Sequence, residues 1–379
     1  MRQKSKARKP KVAIIGLKGL PAYGGSARAG ENMIFFLKHE FQFVVFNTDT
    51  HTSRSSGIYE GVEQVVFRKF FIGSLNTLYY YLRSAFFCLF RGDYDVIHVF
   101  HVDAAFIVPL LRLRYRVVSG HRARPHLADK WNPLVSWYFR FMEWVFFKMP
   151  ADVVTSVSKP VVDMFQPRTR RKILFIPNGI LFNNEDKELP TIDEKDYILF
   201  ASGRIMNSKG VHIMLKALNK IEYKGRVLII GNRRHSAEYS LWLEQLAETL
   251  NVRFIDIIKD KKLLMSYLKN AKMFIFPSFF EGMSNMLLEA SSMQVPIISS
   301  DIPENRQVFD DDEIFFFRTG DVDDLANKIE SVLAREDKGQ EVVEKCYARL
   351  KRDYDWANIS RKYAEIYHWM CKNRKPLNR

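Results

Sequence analysis

One pattern runs through this chain twice: a short apolar, β-branched segment, a turn, a helical segment, then the next apolar segment. In the first run, strand patterns at 11–15, 43–46, 62–67, 96–100, 115–119, 153–156 and 173–176 alternate with helical periodicity at 31–39, 75–90 and 135–147. The second run has strand patterns at 197–201, 226–230, 252–257, 273–277 and 296–299, separated by helical segments at 210–218, 240–250, 261–270 and 286–293. Helical segments at 321–334, 337–352 and 356–372 close the chain. Strands that alternate with helices cannot pair as hairpins, so they line up in parallel with helices on both faces. Between the runs, residues 178–194 are polar and acidic, contain Pro190 and break the period. The reading is α/β: two doubly wound, Rossmann-like domains at 1–180 and 196–352, joined by a linker at 181–195. Ligands of such sheets sit at the carboxyl ends of the strands, which predicts a central cleft that the two domains face.

Charge separates the two runs. The chain has 58 Lys+Arg against 43 Asp+Glu, a formal +15. Residues 1–180 hold 27 basic and 12 acidic side chains; the rest hold 31 of each. The whole surplus therefore lies in the first domain, where it suits a polyanion, either nucleic acid or an anionic membrane leaflet. Two of its helical segments, 78–91 and 131–148, combine Tyr, Trp and Phe with Arg and Lys, as interfacial helices do. No apolar run approaches the ~20 residues of a membrane span. No apolar leader core follows the basic first residues, so no cleaved signal is expected. Three scattered cysteines, Cys88, Cys346 and Cys371, exclude a disulfide framework and suit a reducing compartment.

The strongest chemical signal is at 274–293, FIFPSFFEGMSNMLLEASSM. A strand ends at Pro277-Ser278, a loop carries Glu281 and Gly282, and a helix opens near Met283, Ser284 and Asn285. A helix start at a strand's carboxyl end offers N–H donors to anionic or hydroxyl-rich ligands. Glu281 can accept from hydroxyls; Gly282 allows close backbone approach. Glu289, eight residues after Glu281, sits in an apolar helical run and needs partners, which ribose hydroxyls would supply. A second signal is ASGRIMNSKG at 201–210, where Arg204 and Lys209 offer a planar fork and a point charge to a diphosphate. The loop 16–25, GLKGLPAYGG, brings Gly24 and Gly25 to a helix start, without dinucleotide-binding glycine spacing. His121 follows the 115–119 strand within SGHRARPHLADKW, and His126 could equally be the ring that reaches a ligand.

These motifs resemble the E-x7-E and G-R-x-x-x-x-K-G elements of family 4 glycosyltransferases, retaining enzymes of the GT-B fold. The 16–25 loop is similar to that of a family 4 branch that includes bacterial rhamnosyltransferases, although Ser26-Ala27-Arg28 departs from its Phe-Glu-Thr. Of that branch's W-K-R-A-K-W element only Lys130-Trp131 remains, with Asp129 in place of a small residue. The resemblance implies an N-terminal acceptor domain, a C-terminal nucleotide-sugar domain, and a last helix, within 353–379, that crosses back to the first. It implies a donor site of Gly24, Gly25, Arg204, Lys209, Gly282, Met283, Ser284, Asn285 and Glu289, with His121, Arg204, Lys209 and Glu281 in catalytic roles. The substrate is then a nucleoside diphosphate sugar, with no cofactor and no obligatory metal. The acceptor is a polysaccharide or a lipid-linked saccharide, as in bacterial surface polysaccharide synthesis. With the basic first domain this gives a cytoplasmic enzyme held peripherally on the inner face of an anionic membrane, with nucleic acid not a partner. A basic nucleic-acid-binding protein would explain the charge but not the E-x7-E. A GT-B enzyme of another reaction, such as a nucleotide-sugar epimerase, is separated by its products.

Overall fold

The computed structural model describes residues 8–373, apart from 18, 23–24, 53–54, 72, 128–132, 183–188, 235 and 336–338. The chain divides into two units, Met1–Asn178 with Trp356–Arg379, and Gly179–Asp355.

In the first unit the strands are β1 (Lys11–Ile15), β2 (Gln42–Thr48), β3 (Gly57–Tyr59), β4 (Val62–Phe67), β5 (Val96–Val99), β6 (Val117–His121), β7 (Val153–Ser156) and β8 (Ile173–Phe175). Among the described residues they form one sheet in the order β3-β4-β2-β1-β5-β6-β7-β8, parallel except for the β3–β4 pair. Its helices are α1 (Gly25–Leu37), α2 (Ser74–Arg91), α3 (Val108–Leu111), which continues a 3-10 segment Val102–Ile107, α4 (Pro133–Lys148) and α5 (Lys159–Phe165). The core strands read as continuous apolar runs because helices bury both faces. Tyr80, Tyr81, Ala85 and Cys88 of α2 pack with Ala104, Ile107 and Leu111 over β1, β2 and β5. Beside them Met142, Val145, Phe146 and Phe147 of α4 pack with Val102, Ala105 and Val154.

Two differences from the sequence reading matter. The first helix begins at Gly25, six residues before 31, because Gly25 and Gly30 mask its helical period. Gly30 is kept by packing, since a Cβ there would lie 2.1 Å from Leu17 Cδ1 and 2.8 Å from Phe100 Cζ. The strand read at 115–119 runs from Val117 to His121, so His121 ends the strand instead of following it. Tyr115 is held in the preceding turn, its hydroxyl donating to the carbonyls of Cys88 and Gly92 at 2.7 and 2.8 Å.

The second unit has β9 (Tyr197–Arg204), β10 (Arg226–Asn232), β11 (Asn251–Ile255), β12 (Ala271–Phe276), β13 (Ile297–Ser300) and β14 (Phe315–Phe317). They pair in parallel in the order β11-β10-β9-β12-β13-β14. The helices are α6 (Val211–Lys220), α7 (Ala237–Ala247), α8 (Lys261–Lys269), α9 (Asn285–Ser292), α10 (Pro303–Arg306), α11 (Val322–Leu333) and α12 (Gln340–Asp353). Asp321 caps α11, accepting from the N–H groups of Asp323 and Asp324 at 3.0 Å. The 181–195 segment, read as a linker, is tied to this unit where it is described. Ser266 Oγ donates to the Pro190 carbonyl at 2.7 Å, Glu194 pairs with Arg226 and Arg253, and Ile180 N–H donates to the Tyr354 carbonyl at 2.8 Å.

After Asp355 the chain returns to the first unit as α13 (Trp356–Lys372). Tyr367 reaches His98 Nδ1 at 2.7 Å, and Arg122 donates to the Tyr363 hydroxyl at 2.8 Å. Phe41 packs edge-on against Tyr367, with ring centroids 5.4 Å apart.

Candidate functional site

Within the parallel strands of each sheet the order reverses between β1 and β5 in the first unit and between β9 and β12 in the second. Loops leaving the carboxyl ends at such a reversal diverge to opposite faces and leave a crevice. In the second unit those loops hold Arg204 to Gly210 and Pro277 to Asn285, the two segments with the strongest sequence signals.

The loops are fastened to each other. Gly210 is left-handed, with φ 69°, and a Cβ on it would lie 2.0 Å from the Pro277 carbonyl oxygen. The Phe279 N–H donates to the Ser208 carbonyl at 2.9 Å. Lys209 Nζ meets Glu281 Oε1 at 2.5 Å, and Ser278 Oγ donates to the same oxygen at 2.9 Å. The sequence reading gave Lys209 and Glu281 to different parts of a ligand; the structure joins them as an ion pair. Behind them Ser300 Oγ donates to the Ser278 carbonyl at 2.6 Å, and Asn305 Nδ2 donates to Ser299 Oγ at 2.9 Å. Arg204 ends β9, exposed, and meets no carboxylate among the described residues.

Ser284 caps α9, its hydroxyl accepting from Leu287 N–H at 3.4 Å, and Met283 is buried just before it. Gly282 is half-buried in the same turn. Glu289 is buried one turn into α9. Its partner is Lys261 Nζ at 3.2 Å, from the start of α8. Sequence reasoning missed Lys261, which lies 28 positions upstream with no spacing to link it to Glu289. It also missed His212, whose ring lies parallel to that of Phe279 at 5.8 Å and whose Nδ1 meets the Tyr239 hydroxyl at 2.9 Å. Burial, with the Lys216 charge second, lowers the His212 pKa to about 4, so the ring is neutral at physiological pH.

In the first unit, Gly16 N–H donates to the Tyr80 hydroxyl at 2.8 Å, and Gln64 pins Leu20 through both backbone groups. Gly25 opens α1; Gly24, Asp129, Lys130 and Trp131 lie outside the described residues. His121 was expected to face a ligand. Its side chain is instead 1% exposed, turned inward under α4 against Phe146 and Phe147. Its Nε2 meets Glu143 Oε1 at 3.1 Å, and Arg124 holds the same carboxylate with two hydrogen bonds at 3.0 and 3.1 Å. Burial would raise the Glu143 pKa, but the hydrogen bonds from His121 and Arg124 outweigh it and hold the carboxyl at about 2. His126 is buried beside the same carboxylate, 3.9 Å away. His121 shares its strand face with Val117 and Ser119, and α4, packed over that face, encloses it, a contact that its position in the sequence could not reveal.

Two family models match. The one described as Glycosyltransferase Family 4 covers residues 24–181, and the one described as Glycosyl transferases group 1 covers residues 182–349; together they span well over half of the chain. The capsular polysaccharide biosynthesis glycosyltransferase CapM of Staphylococcus aureus is 25% identical over 208 residues, which is 52% of this chain and 54% of CapM. The chain spans about half to three-fifths of the length of the curated relatives it matches. A sucrose-phosphate synthase from Thermosynechococcus elongatus superposes with a TM-score of 0.78 at 17% identity, covering 96% of this chain and 100% of that one. Anabaena Alr3699/HepE, solved in complex with UDP-glucose, gives a TM-score of 0.72 at 16% identity, covering 94% and 98%. These structures establish the fold as GT-B.

Proposed function

The chain belongs to the family 4 glycosyltransferases, and from that premise we propose that it moves a glycosyl group from a nucleoside diphosphate sugar to a saccharide or lipid-linked saccharide acceptor, with retention at the anomeric carbon. The observation that carries this reading is the fastened pair of loops at the strand reversal, which holds Lys209, paired with Glu281, on the same loop as Arg204, which meets no carboxylate among the described residues, and ties that loop to the one leading into the capped start of α9. Charge develops on the diphosphate as it leaves, and Arg204, Lys209 and the α9 N-terminus stabilise it, so the proposal needs no metal ion. Glu281 orients the sugar hydroxyls while remaining tied to Lys209. Glu289, held by Lys261, takes the ribose hydroxyls. Met283, Ser284 and Asn285 bring the backbone to the donor, and Gly282 leaves room for it.

Glu281 is tied to Lys209 and Ser278 and is given the sugar hydroxyls, so in this reading the acceptor oxygen attacks on the face from which the diphosphate departs. The bond from the anomeric carbon to the acceptor oxygen forms as the bond to the diphosphate oxygen breaks, and the acceptor proton passes to that departing oxygen. His121 drops out of the substrate-touching set because its ring is enclosed; we assign it to holding α4. Gly24 and Gly25 keep a place near the substrate through the first loop, whose likeness to the rhamnosyltransferase-containing branch makes a hexosyl or deoxyhexosyl donor the class to test first. CapM supports a surface-polysaccharide setting, and the UDP-glucose of HepE supports a nucleotide-sugar donor.

Calorimetric titration with a panel of nucleotide sugars tests the reading. Arg204→Ala is expected to weaken donor binding about 10-fold or more through the loss of a charge-assisted contact, with no change in melting temperature, since its exposed side chain meets no carboxylate among the described residues. Full affinity in that variant refutes the site. A covalent glycosyl–enzyme adduct seen by mass spectrometry refutes the attack geometry.

A further inference from the structure

Helices α2 and α4 each have two apolar faces. Their inner faces are built into the core, through Tyr80, Tyr81, Ala85 and Cys88 on α2 and Met142, Val145, Phe146 and Phe147 on α4. A surface helix needs one such stripe and normally sets polar residues opposite it. Here the opposite side of α2 exposes Leu75, Leu78, Leu82, Phe86 and Phe90, at steps of three and four residues down the whole helix. The opposite side of α4 exposes Leu134, Trp137, Phe141 and Trp144, and Met149 is exposed just beyond its end. Phe90 is 75% exposed, Trp137 63% and Trp144 53%. The rings of Trp137, Phe141 and Trp144 stack in sequence, with centroids 5.7 and 5.8 Å apart and planes within 14°. Both helices flank the segment of residues 102–111 on one face of the same sheet, so the two stripes belong to one side of the first unit.

The charges within these stripes have one sign. Helix α2 contains no Asp or Glu, and it exposes Arg83 and Arg91. Helix α4 contains one acid, Glu143, which is buried under His121 and Arg124, and it exposes Arg140 and Lys148. No helix among the described residues is long and apolar enough to cross a membrane. Aromatic rings and aliphatic side chains on the outer faces of these helices, where the exposed charges are all cations, match a layer whose outer edge is anionic and whose interior is hydrocarbon.

We infer that the outer faces of α2 and α4 form a membrane-lying surface that seats the first unit on an anionic bilayer. Leu75 to Phe90 and Trp137 to Trp144 enter the headgroup boundary, and Arg83, Arg91, Arg140 and Lys148 meet lipid phosphates. This surface lies outside the donor loops and stands whether or not the transfer reaction is as proposed. It gives a purpose to the basic surplus of the first domain, which the donor chemistry leaves unused.

The test is co-sedimentation of the full chain with vesicles of phosphatidylcholine alone and with about 30% phosphatidylglycerol, at about 0.1 M salt. Binding is expected with the anionic vesicles and little with the neutral ones. Arg91→Gln with Arg140→Gln is expected to weaken it about 30-fold, at roughly 5-fold for each charge. Trp137→Ser with Trp144→Ser is expected to weaken it about 100-fold, at roughly 10-fold for each ring. Both double variants keep the wild-type melting temperature and nucleotide-sugar titration, because these side chains are exposed and belong to a different unit from the donor loops. Failure to bind either vesicle overturns the inference, as does vesicle binding indifferent to both variants. A dimer that Trp137→Ser with Trp144→Ser dissociates, without vesicle binding, overturns it in favour of self-association. A donor titration that fails while vesicle binding holds would refute the proposed function and leave this surface standing.

Discussion

Gly210→Ala is the most exacting test of how the donor loops are held. Gly210 has φ 69°, and an alanine there takes on about 1–2 kcal/mol of left-handed strain. The new Cβ would start 2.0 Å from the Pro277 carbonyl oxygen. The loops must then part by about 1 Å to restore ordinary contact. That movement stretches the hydrogen bond from Phe279 N–H to the Ser208 carbonyl, 2.9 Å in the native chain, worth about 1 kcal/mol. The sum is about 2–3 kcal/mol, or roughly 5–10 °C in the melting transition of the second unit. Because Lys209 precedes the glycine and Glu281 follows the displaced segment, donor-dependent turnover should fall about 100-fold. Gly203→Ala is the internal control. A Cβ there meets nothing within 4 Å, so stability should stay level or rise by about 0.5 kcal/mol as the unfolded chain loses freedom. Scanning calorimetry on the three proteins reads the result. A Gly210→Ala transition within about 2 °C of the wild type, or equal losses in both variants, would refute the steric argument.

Other expectations concern buried charges. The Glu143 carboxyl is held down at about 2, so its contribution to stability is fully present above its ordinary value of 4.5 and is lost as pH falls toward 2. Glu143→Gln should therefore flatten the acid limb of the stability curve by about 2–3 kcal/mol, read as denaturation midpoints between pH 6 and pH 2. An unchanged acid limb would mean that His121 and Arg124 do not hold this carboxylate. Lys261→Met leaves Glu289 buried without its cation and should cost about 1–2 kcal/mol, whereas Lys261→Met with Glu289→Gln should recover part of that loss; additive losses in the double-mutant cycle would count against the pair. Tyr363→Phe removes the hydroxyl that Arg122 donates to at 2.8 Å, and it should destabilise the first unit by about 1.5–3 kcal/mol in urea unfolding. An unchanged midpoint would mean that the α13 tether bears no load.

The alternation of strand and helix determined the two parallel sheets, because a β-branched apolar run covered on both faces looks the same wherever it occurs. The donor loops were also legible: Arg204, Lys209, Glu281 and Glu289 each occupy fixed offsets from a strand end or a helix start, and local chemistry sets those offsets. The tertiary structure alone decided who meets whom. Lys209 pairs with Glu281 and Lys261 with Glu289 across strand connections whose lengths hold no record of the contact. His121 lies two residues on from Ser119, on the same face of β6, and only the packing of α4 over that face sets its ring against Glu143. Gly30 hid the start of α1 because its purpose is a close approach to Leu17 and Phe100. The aromatic helices show the division most clearly. Their sequences announce too many rings for a surface and too many cations for a core, and only packing decides which rings face in. Once Tyr81 and Phe146 fill the interior, Phe90 and Trp137 are left in solvent, because a helix can press only one of its faces against the sheet.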